Sequence, residues 1–354
     1  MNNIKVLYTL ITIIFLLFLI ICAIIIGNYY LNKKDPNYVM QFINNNPEKS
    51  SLVIKKNDKY VYSHNHNKKF KVASLYKLIV AIEAKRQDNI KEIDLNQRIS
   101  ISEIEKYNYM PKTNVKYEKW KDSLRKNASK PTIKQILEGM INYSSNPNTD
   151  FLLDYLGEEK VNELAMNLTN KNHGYIYKSS SSLAIPIYLK EEKNYKDNQI
   201  KKIISGANKK KYKKLIENTE EYLENNSNSN SNKLSEYFPS EKMQEIWANN
   251  LPESSASSYI NIFNKSKKLY GIDASNIEGF INKNHKSKSY YIEKTGKAIN
   301  IENKVVYLNK NNTKYELLIL TNDIDEYEKI KISNNIDLFL KGVLNNKYKL
   351  GTDK

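Results

Sequence analysis

The chain is 354 residues long and carries 56 Lys+Arg against 39 Asp+Glu, a formal charge of +17, with 40% hydrophobic and 27% charged residues. That length builds one large domain or two small ones. Ten Gly and eight Pro exclude collagen-like and Pro/Gly low-complexity chains, and 27 Tyr, 9 Phe and 2 Trp supply more aromatic surface than disordered chains hold. A single cysteine, Cys22, excludes an internal disulfide, and four histidines, His64, His66, His173 and His285, are too few soft ligands for a closed zinc site. Neither a metal nor any other cofactor is expected.

In chain order, the first element is the stretch Val6 to Ile26, 21 residues without a charge. At about 1.5 Å per residue it spans a hydrocarbon core of about 30 Å. It ends in Ile24-Ile25-Ile26-Gly27-Asn28-Tyr29-Tyr30, with no small-x-small cleavage site, and Cys22 follows Ile20-Ile21 where a lipoprotein signal has a small residue. We read residues 1–28 as an uncleaved single-pass membrane anchor, with lipid attachment the lesser alternative. Lys5 precedes the span and Lys33-Lys34 follow it, so the positive-inside rule is nearly balanced and does not orient the helix. Residues 29–49 read as a polar linker and 50–350 as a globular body.

The body opens with Ser51 to Lys56 and Lys59 to His64, two strands joined by a turn at Asn57-Asp58. Ser74 to Ala84 is a helix apolar nearly all round, hence buried in the centre, with Ser74 at its start. A second helix runs from Thr132 through Ile141, and a third begins near Asn148 and continues toward Gly157. Between 190 and 236 the chain turns Lys-, Glu- and Asn-rich and ends in alternating Asn and Ser, which reads as a flexible insertion. Three antiparallel strands follow, Ser289 to Lys294, Lys304 to Leu308 and Lys314 to Leu320, and then a closing helix around Ile336 to Leu344. A hairpin, helices, a meander and a final helix predict an α+β fold with one antiparallel five-stranded sheet assembled from both ends of the body, flanked by helices with an all-α subdomain.

The basic run Lys209-Lys210-Lys211-Tyr212-Lys213-Lys214 has an aromatic inside it, as nucleic-acid sites often do, but Glu217, Glu220, Glu221 and Glu224 follow it and make it a solvated helix face. No nucleic-acid partner is expected. Outside a cell, the excess charge would meet anionic wall polymers or lipid headgroups.

Three short motifs occur in order: Ser74-x-x-Lys77, Ser144-x-Asn146 and Lys294-Thr295-Gly296. Each alone is weak, since Ser123-Leu124-Arg125-Lys126 also fits the first and Ser333-x-Asn335 the second. Context separates them: Ser74 heads the buried helix, Ser144 lies between two helices, and Lys294-Thr295-Gly296 terminates a strand. Positions i and i+3 of a helix share a face, so Lys77 can stand beside the Ser74 hydroxyl as its base. Burial and a second cation, Lys294, would both disfavour the charge on Lys77 and leave a neutral amine. The Ser144 hydroxyl can relay a proton to a leaving nitrogen, and the Asn146 amide can hold a substrate carbonyl or orient Lys77. Lys294 and Thr295 suit a substrate carboxylate, with Gly296 allowing close backbone approach.

These motifs resemble those of the serine acyl-transferases that include class A β-lactamases and penicillin-binding D-Ala-D-Ala peptidases. The segment Met140 to Gly157 is similar to that family's loop-and-helix segment throughout, and the resemblance spans roughly residues 50 to 350. The motif separations, 70 and 150 residues, exceed the family's usual ones, the second by about the length of the insertion. The resemblance implies an oxyanion hole made by the backbone N–H groups of Ser74 and Lys297. Lys297 departs from the small residue the family prefers, but only its backbone is needed. Class A β-lactamases also carry a deacylating Glu in an E-x-x-L-N pattern. Glu163-Leu164-Ala165-Met166-Asn167 nearly fits, yet it lies only 19 residues past Ser144 and inside the helical run Glu158 to Leu168, and Asn172 to Ser182 offers no carboxylate.

His64 and His66 read as surface residues of a hairpin edge, His173 as an exposed loop residue, and Trp120 and Trp247 as packing residues. The resemblance therefore implies a membrane-anchored serine hydrolase, its catalytic domain outside the cell. Ser74, Lys77 and Ser144 would be catalytic, with Asn146, Lys294, Thr295, Gly296 and Lys297 holding a peptidoglycan peptide or a β-lactam. Slow deacylation is expected. A class A-type β-lactamase using another base and a non-catalytic penicillin-binding sensor are the alternatives, and a polyanion-binding surface protein is a more distant one.

Overall fold

The computed structural model describes residues 2–124, 130–227, 237–281, 290–345 and 347–348. The described residues form two compact units, one of those up to Asn45 together with those from Ile324 to 348, the other of those from Asn46 to Asp323. The first contains α1 (Asn2–Asn32), α2 (Tyr38–Asn45) and the helix Glu326–Leu344. Within α1, Val6–Asn32 is exposed along its length and apolar enough to be a membrane span or a signal sequence. Its C-terminal carbonyls are held by the Glu326–Leu344 helix: Lys331 Nζ donates to Tyr30 O at 3.1 Å and to Lys33 O at 3.2 Å, and Asn335 Oδ1 accepts from Asp35 N at 2.6 Å. The two Lys331 bonds satisfy acceptors that a helix end leaves open, and the Asn335 bond takes up a backbone donor just past it. The stretch 29–49 thus holds the last turn of α1 and all of α2.

In the second unit, β1 (Ser50–Lys56) and β2 (Lys59–His64) pair across Asn57 and Asp58, whose φ values of 48° and 65° are the left-handed pair that a two-residue hairpin requires. β3 (Lys69–Lys71) leads to a 3₁₀ turn, Ala73–Tyr76, and then α3 (Lys77–Asn89). Next come α4 (Ile101–Glu105), α5 (Val115–Ser123), α6 (Ile133–Asn142), α7 (Asn146–Leu156) and α8 (Glu158–Leu168). Thr132 and Gln135 form a reciprocal capping box on α6, and Ser145 caps α7. α9 (Ser179–Glu191), α10 (Asp197–Ser205) and α11 (Lys209–Ser227) precede β4 (Glu253–Ser255), which pairs with β3. β5 (Tyr290–Ala298), β6 (Ile301–Lys310) and β7 (Thr313–Thr321) complete an antiparallel sheet of order β2-β1-β7-β6-β5. Its strands come from both ends of the unit, as expected. Ser289, the expected start of the first meander strand, lies outside the described residues. Lys294-Thr295-Gly296 lies inside β5 and does not end it, because pairing with β6 continues to Ala298.

One apolar core joins the sheet to the helices. Val53, Val305, Leu318 and Leu320 meet Leu78, Ile79 and Ile82 of α3, with Ile136, Met140, Leu152 and Leu168 beyond them, all buried. Each such side chain contributes about 1.5–3 kcal/mol relative to exposure. Because α3 is buried on every side from Lys77 to Ala84, apolar there but for Lys77 and Glu83, it takes the centre of this unit and fixes Lys77 at its first turn in the interior. A second core corrects the expectation of flexibility between 190 and 236. Ile200 and Ile204 of α10, and Tyr212 and Ile216 of α11, pack on Ile185 and Tyr188 of α9, with Met243 of the helix Glu241–Asn249. The i, i+4 spacing of these few apolar residues suffices for helices whose other faces carry the Lys and Glu; residues 228–236 of the tract lie outside the described residues. Lys213 pairs with Glu159 and Lys214 with Glu217, so the basic run is a solvated face around the buried Tyr212.

Gly296 sets how closely β5 approaches the 3₁₀ turn. A Cβ there would stand 2.6 Å from Val72 O and 3.3 Å from Ala73 Cβ. Gly296→Ala should destabilise the protein by about 1–3 kcal/mol, read as a lower urea midpoint. The control Gly279→Ala, where nothing lies within 4 Å, should leave the midpoint unchanged or raise it.

Candidate active site

The nucleophile turn is assembled from backbone constraints. Val72 N donates to Pro252 O at 2.9 Å, and Ala73 is held at φ +45°, a left-handed conformation costing a non-glycine residue of order 1–3 kcal/mol. The chain then turns through Ala73–Tyr76 into α3, so Ser74 and Lys77, three residues apart, lie at the head of the same helical segment.

Lys77 is fully buried. Its Nζ lies 2.8 Å from Ser144 O, 3.0 Å from Asn146 Oδ1, 3.4 Å from Ser145 O and 3.5 Å from Ser144 Oγ. Among the described residues no carboxylate stands within ion-pair distance of it. Desolvation first, then Lys294 and Lys116, hold its pKa well below the ordinary lysine value, against a smaller opposing pull from Asp150. A neutral amine has two N–H donors and one lone pair. Ser144 O and Asn146 Oδ1 take the two donors, and the lone pair remains for a hydroxyl. Ser144 itself adopts φ +58°, a second strained position beside the same amine, and the Ser145 cap places Asn146 at the first residue of α7.

The third motif is brought in by β5, the edge strand of the sheet, whose outer row of backbone groups is not paired within it. Alternation along β5 buries Ile292, Lys294 and Gly296 on one face. Lys294 is buried without an ion pair among the described residues, and desolvation followed by Lys116 lowers its pKa to about 7. Gly296 abuts Val72 and Ala73, so Thr295 and Lys297 flank the point where β5 meets the nucleophile turn. Lys297 extends outward, its Nζ 2.6 Å from Glu302 Oε1 on β6. Ser74, Ser144, Asn146 and Lys297 all line one cleft of about 230 Å³. Of the eight residues singled out in the sequence these four line the cleft; Lys77 bonds to Ser144 and Asn146 from the interior, Gly296 abuts the turn that bears Ser74, and Lys294 and Thr295 precede it on β5 outside the lining.

Other residues of the site carry no motif. Lys116 of α5, Ser179 of α9 and Trp247 also line the cleft. Asp150, fully buried on α7, accepts from Ser179 N at 2.8 Å and Ser180 N at 2.7 Å, and Tyr76 OH lies 2.9 Å from Ser179 Oγ. These bonds fix the start of α9 against the nucleophile turn. Burial raises the Asp150 pKa to about 6, although both N–H bonds favour its charged form. The sequence signal is an acid directly before the apolar Phe151 to Leu153 of a helix; Lys116 has none. Trp247 donates to Ser182 Oγ at 3.0 Å, joining the cleft wall to α9.

Among the described residues, those that line the cleft include no carboxylate and no imidazole. Glu163 is exposed on α8. His173, expected to be exposed, is buried: it bridges in β fashion to Ser254, its Nδ1 lies 2.6 Å from Gly174 O, and burial lowers its pKa to about 4. It lies outside the cleft lining.

The fold is shared with known proteins. The chain's structure is similar to a class A beta-lactamase from Bacteroides cellulosilyticus DSM 14838, with TM-score 0.51, 14% identity, and coverage of 89% of this chain and 100% of that one. It is similar to a beta-lactamase from Francisella tularensis, with TM-score 0.50, 14% identity and coverage of 89% and 100%, and to one from Sphaerobacter thermophilus DSM 20745, with TM-score 0.50, 13% identity and coverage of 84% and 92%. Identities this low show the shared fold. No curated protein matches the chain by sequence. The sequence model of the beta-lactamase enzyme family matches residues 37–336, most of the chain, and with it the protein belongs to that family, whose fold is that of a serine hydrolase.

Proposed function

We propose that the chain is a membrane-anchored serine acyl-transfer enzyme, its second unit outside the cell, acylated at Ser74 by D-Ala-D-Ala-type peptides or by β-lactams. The observation that carries this reading is the buried, carboxylate-free Lys77 amine between the Ser74 turn and the Ser144–Asn146 loop. Ser74 Oγ attacks the substrate carbonyl carbon and its proton passes to the Lys77 lone pair. The carbonyl oxygen takes negative charge within reach of the Ser74 and Lys297 backbone N–H groups. The C–N bond then breaks, and Ser144 Oγ hands a proton to the leaving nitrogen, replenished from Lys77, 3.5 Å away. Lys294 and Thr295 hold the substrate carboxylate, and Asn146 holds a substrate carbonyl. An outward-facing unit places this chemistry where wall peptides are, and α1 serves as the uncleaved anchor.

Release of the acyl group requires water or an amine. Among the described residues the cleft is lined by neither carboxylate nor imidazole, which leaves water no base there and favours a long-lived acyl-enzyme.

With labelled penicillin, the full-length protein should gain one adduct at Ser74 that decays slowly, and a chromogenic cephalosporin should give a burst of about one equivalent followed by near silence. Ser74→Ala should abolish both. Absence of any adduct on the native protein contradicts the proposal, and sustained turnover identifies a β-lactamase with another base. The pH profile gives a second test. Acylation needs Lys77 neutral and Lys294 charged, so the second-order rate should rise through the lowered pKa of Lys77 and fall above about 7, where Lys294 loses its proton. In Lys294→Arg, whose charge persists at all accessible pH, the alkaline fall should vanish below about pH 9.

A further inference from the structure

The cleft holds more positive charge than one substrate carboxylate uses. Lys116 and Lys297 stand at its wall, with Lys294 buried beneath, and among the described residues none that lines it is acidic. Lys297 meets Glu302, whereas Lys116 has no ion pair among the described residues. Lys116 and Lys297 are both exposed along the cleft, and the Lys116 pKa is lowered, by desolvation first and by Lys297 second, against an opposing pull from Glu302, so part of the repulsion between the two ammonium groups remains. An anion entering between them would relieve that repulsion.

We propose that Lys116, with Lys297, forms a subsite for a second carboxylate carried by the acyl donor's side chain, making the preferred donor a dianion. This rests on the acyl-enzyme reading above and adds its substrate class. Lys294 and Thr295 receive the carboxylate next to the scissile bond. The second carboxylate lies on the other side of that bond, toward α5. Lys116 is therefore a specificity-determining residue, and it leaves bond making and breaking to Ser74, Lys77 and Ser144.

A matched pair of probes isolates the effect. α-Carboxybenzylpenicillin and benzylpenicillin differ by one carboxylate, and their acylation rates on the full-length protein in detergent are compared at about pH 6, where Lys294 is charged, each rate normalised to that compound's alkaline hydrolysis. The dianion should be favoured about three- to tenfold, the range of a partly exposed ion pair. Because only the ratio is read, a general loss of activity in a variant cancels. The ratio should fall to about one in Lys116→Gln, persist in Lys116→Arg, and shrink in the native protein at high salt. An unchanged ratio in Lys116→Gln, or a salt-insensitive ratio in the native protein, overturns the subsite and leaves the acyl-enzyme intact. Failure of both penicillins to modify Ser74 in the native protein overturns the acyl-enzyme reading and the subsite with it.

Discussion

A lysine amine kept in the interior without a carboxylate is the constraint around which this molecule is arranged. An isolated buried ammonium is costly enough that such groups give up the proton instead. Lys77 sits at the first turn of a helix whose first two turns are buried on all sides, so the packing that stabilises the domain is also what removes its amine from water. Lys294 adds a second cation from the edge strand, and the Ser144–Asn146 loop supplies oxygens suited to a neutral amine's two N–H groups. Fold stability and chemical activation are therefore one requirement: whatever loosens α3 rehydrates the base.

The elements that meet at the cleft are fixed by contacts with little tolerance. Gly296 brings β5 against Val72 and Ala73 at a distance no side chain allows, and Ala73 and Ser144 both hold left-handed backbone conformations. Strain of this kind persists only where the surroundings over-determine it. Asp150 has a supporting part: by holding two backbone N–H groups at the start of α9 it keeps Ser179 on the cleft wall, and it does so while buried near Lys77.

What was legible in the sequence follows the range of the interaction. The Asn57-Asp58 hairpin, the helix following Thr132 and the nearly all-apolar helix after Ser74 are local patterns, and they form as read, the last with a 3₁₀ first turn. The three motifs were legible because helix and loop context set them apart from chance matches elsewhere. Lys116 was not, since nothing within α5 marks a residue whose importance comes from three other lysines on distant segments. His173 looked exposed because it sits among polar residues, but pairing with Ser254 on β4 draws it inside. The helices α10 and α11 were hidden by composition: a few apolar side chains at helical spacing outweigh many lysines once α9 offers a surface to pack against.

The account stands on the protonation state of Lys77, which NMR reads directly. Lysine side chains are labelled with carbon-13 at Cε in the Ser74→Ala protein, and the Lys77 signal is assigned by its loss in Lys77→Arg. The account predicts a Lys77 resonance that titrates well below the ordinary lysine range and reports a neutral amine at neutral pH. A Lys77 signal that stays protonated up to about pH 10, as a solvent-exposed lysine does, would contradict it.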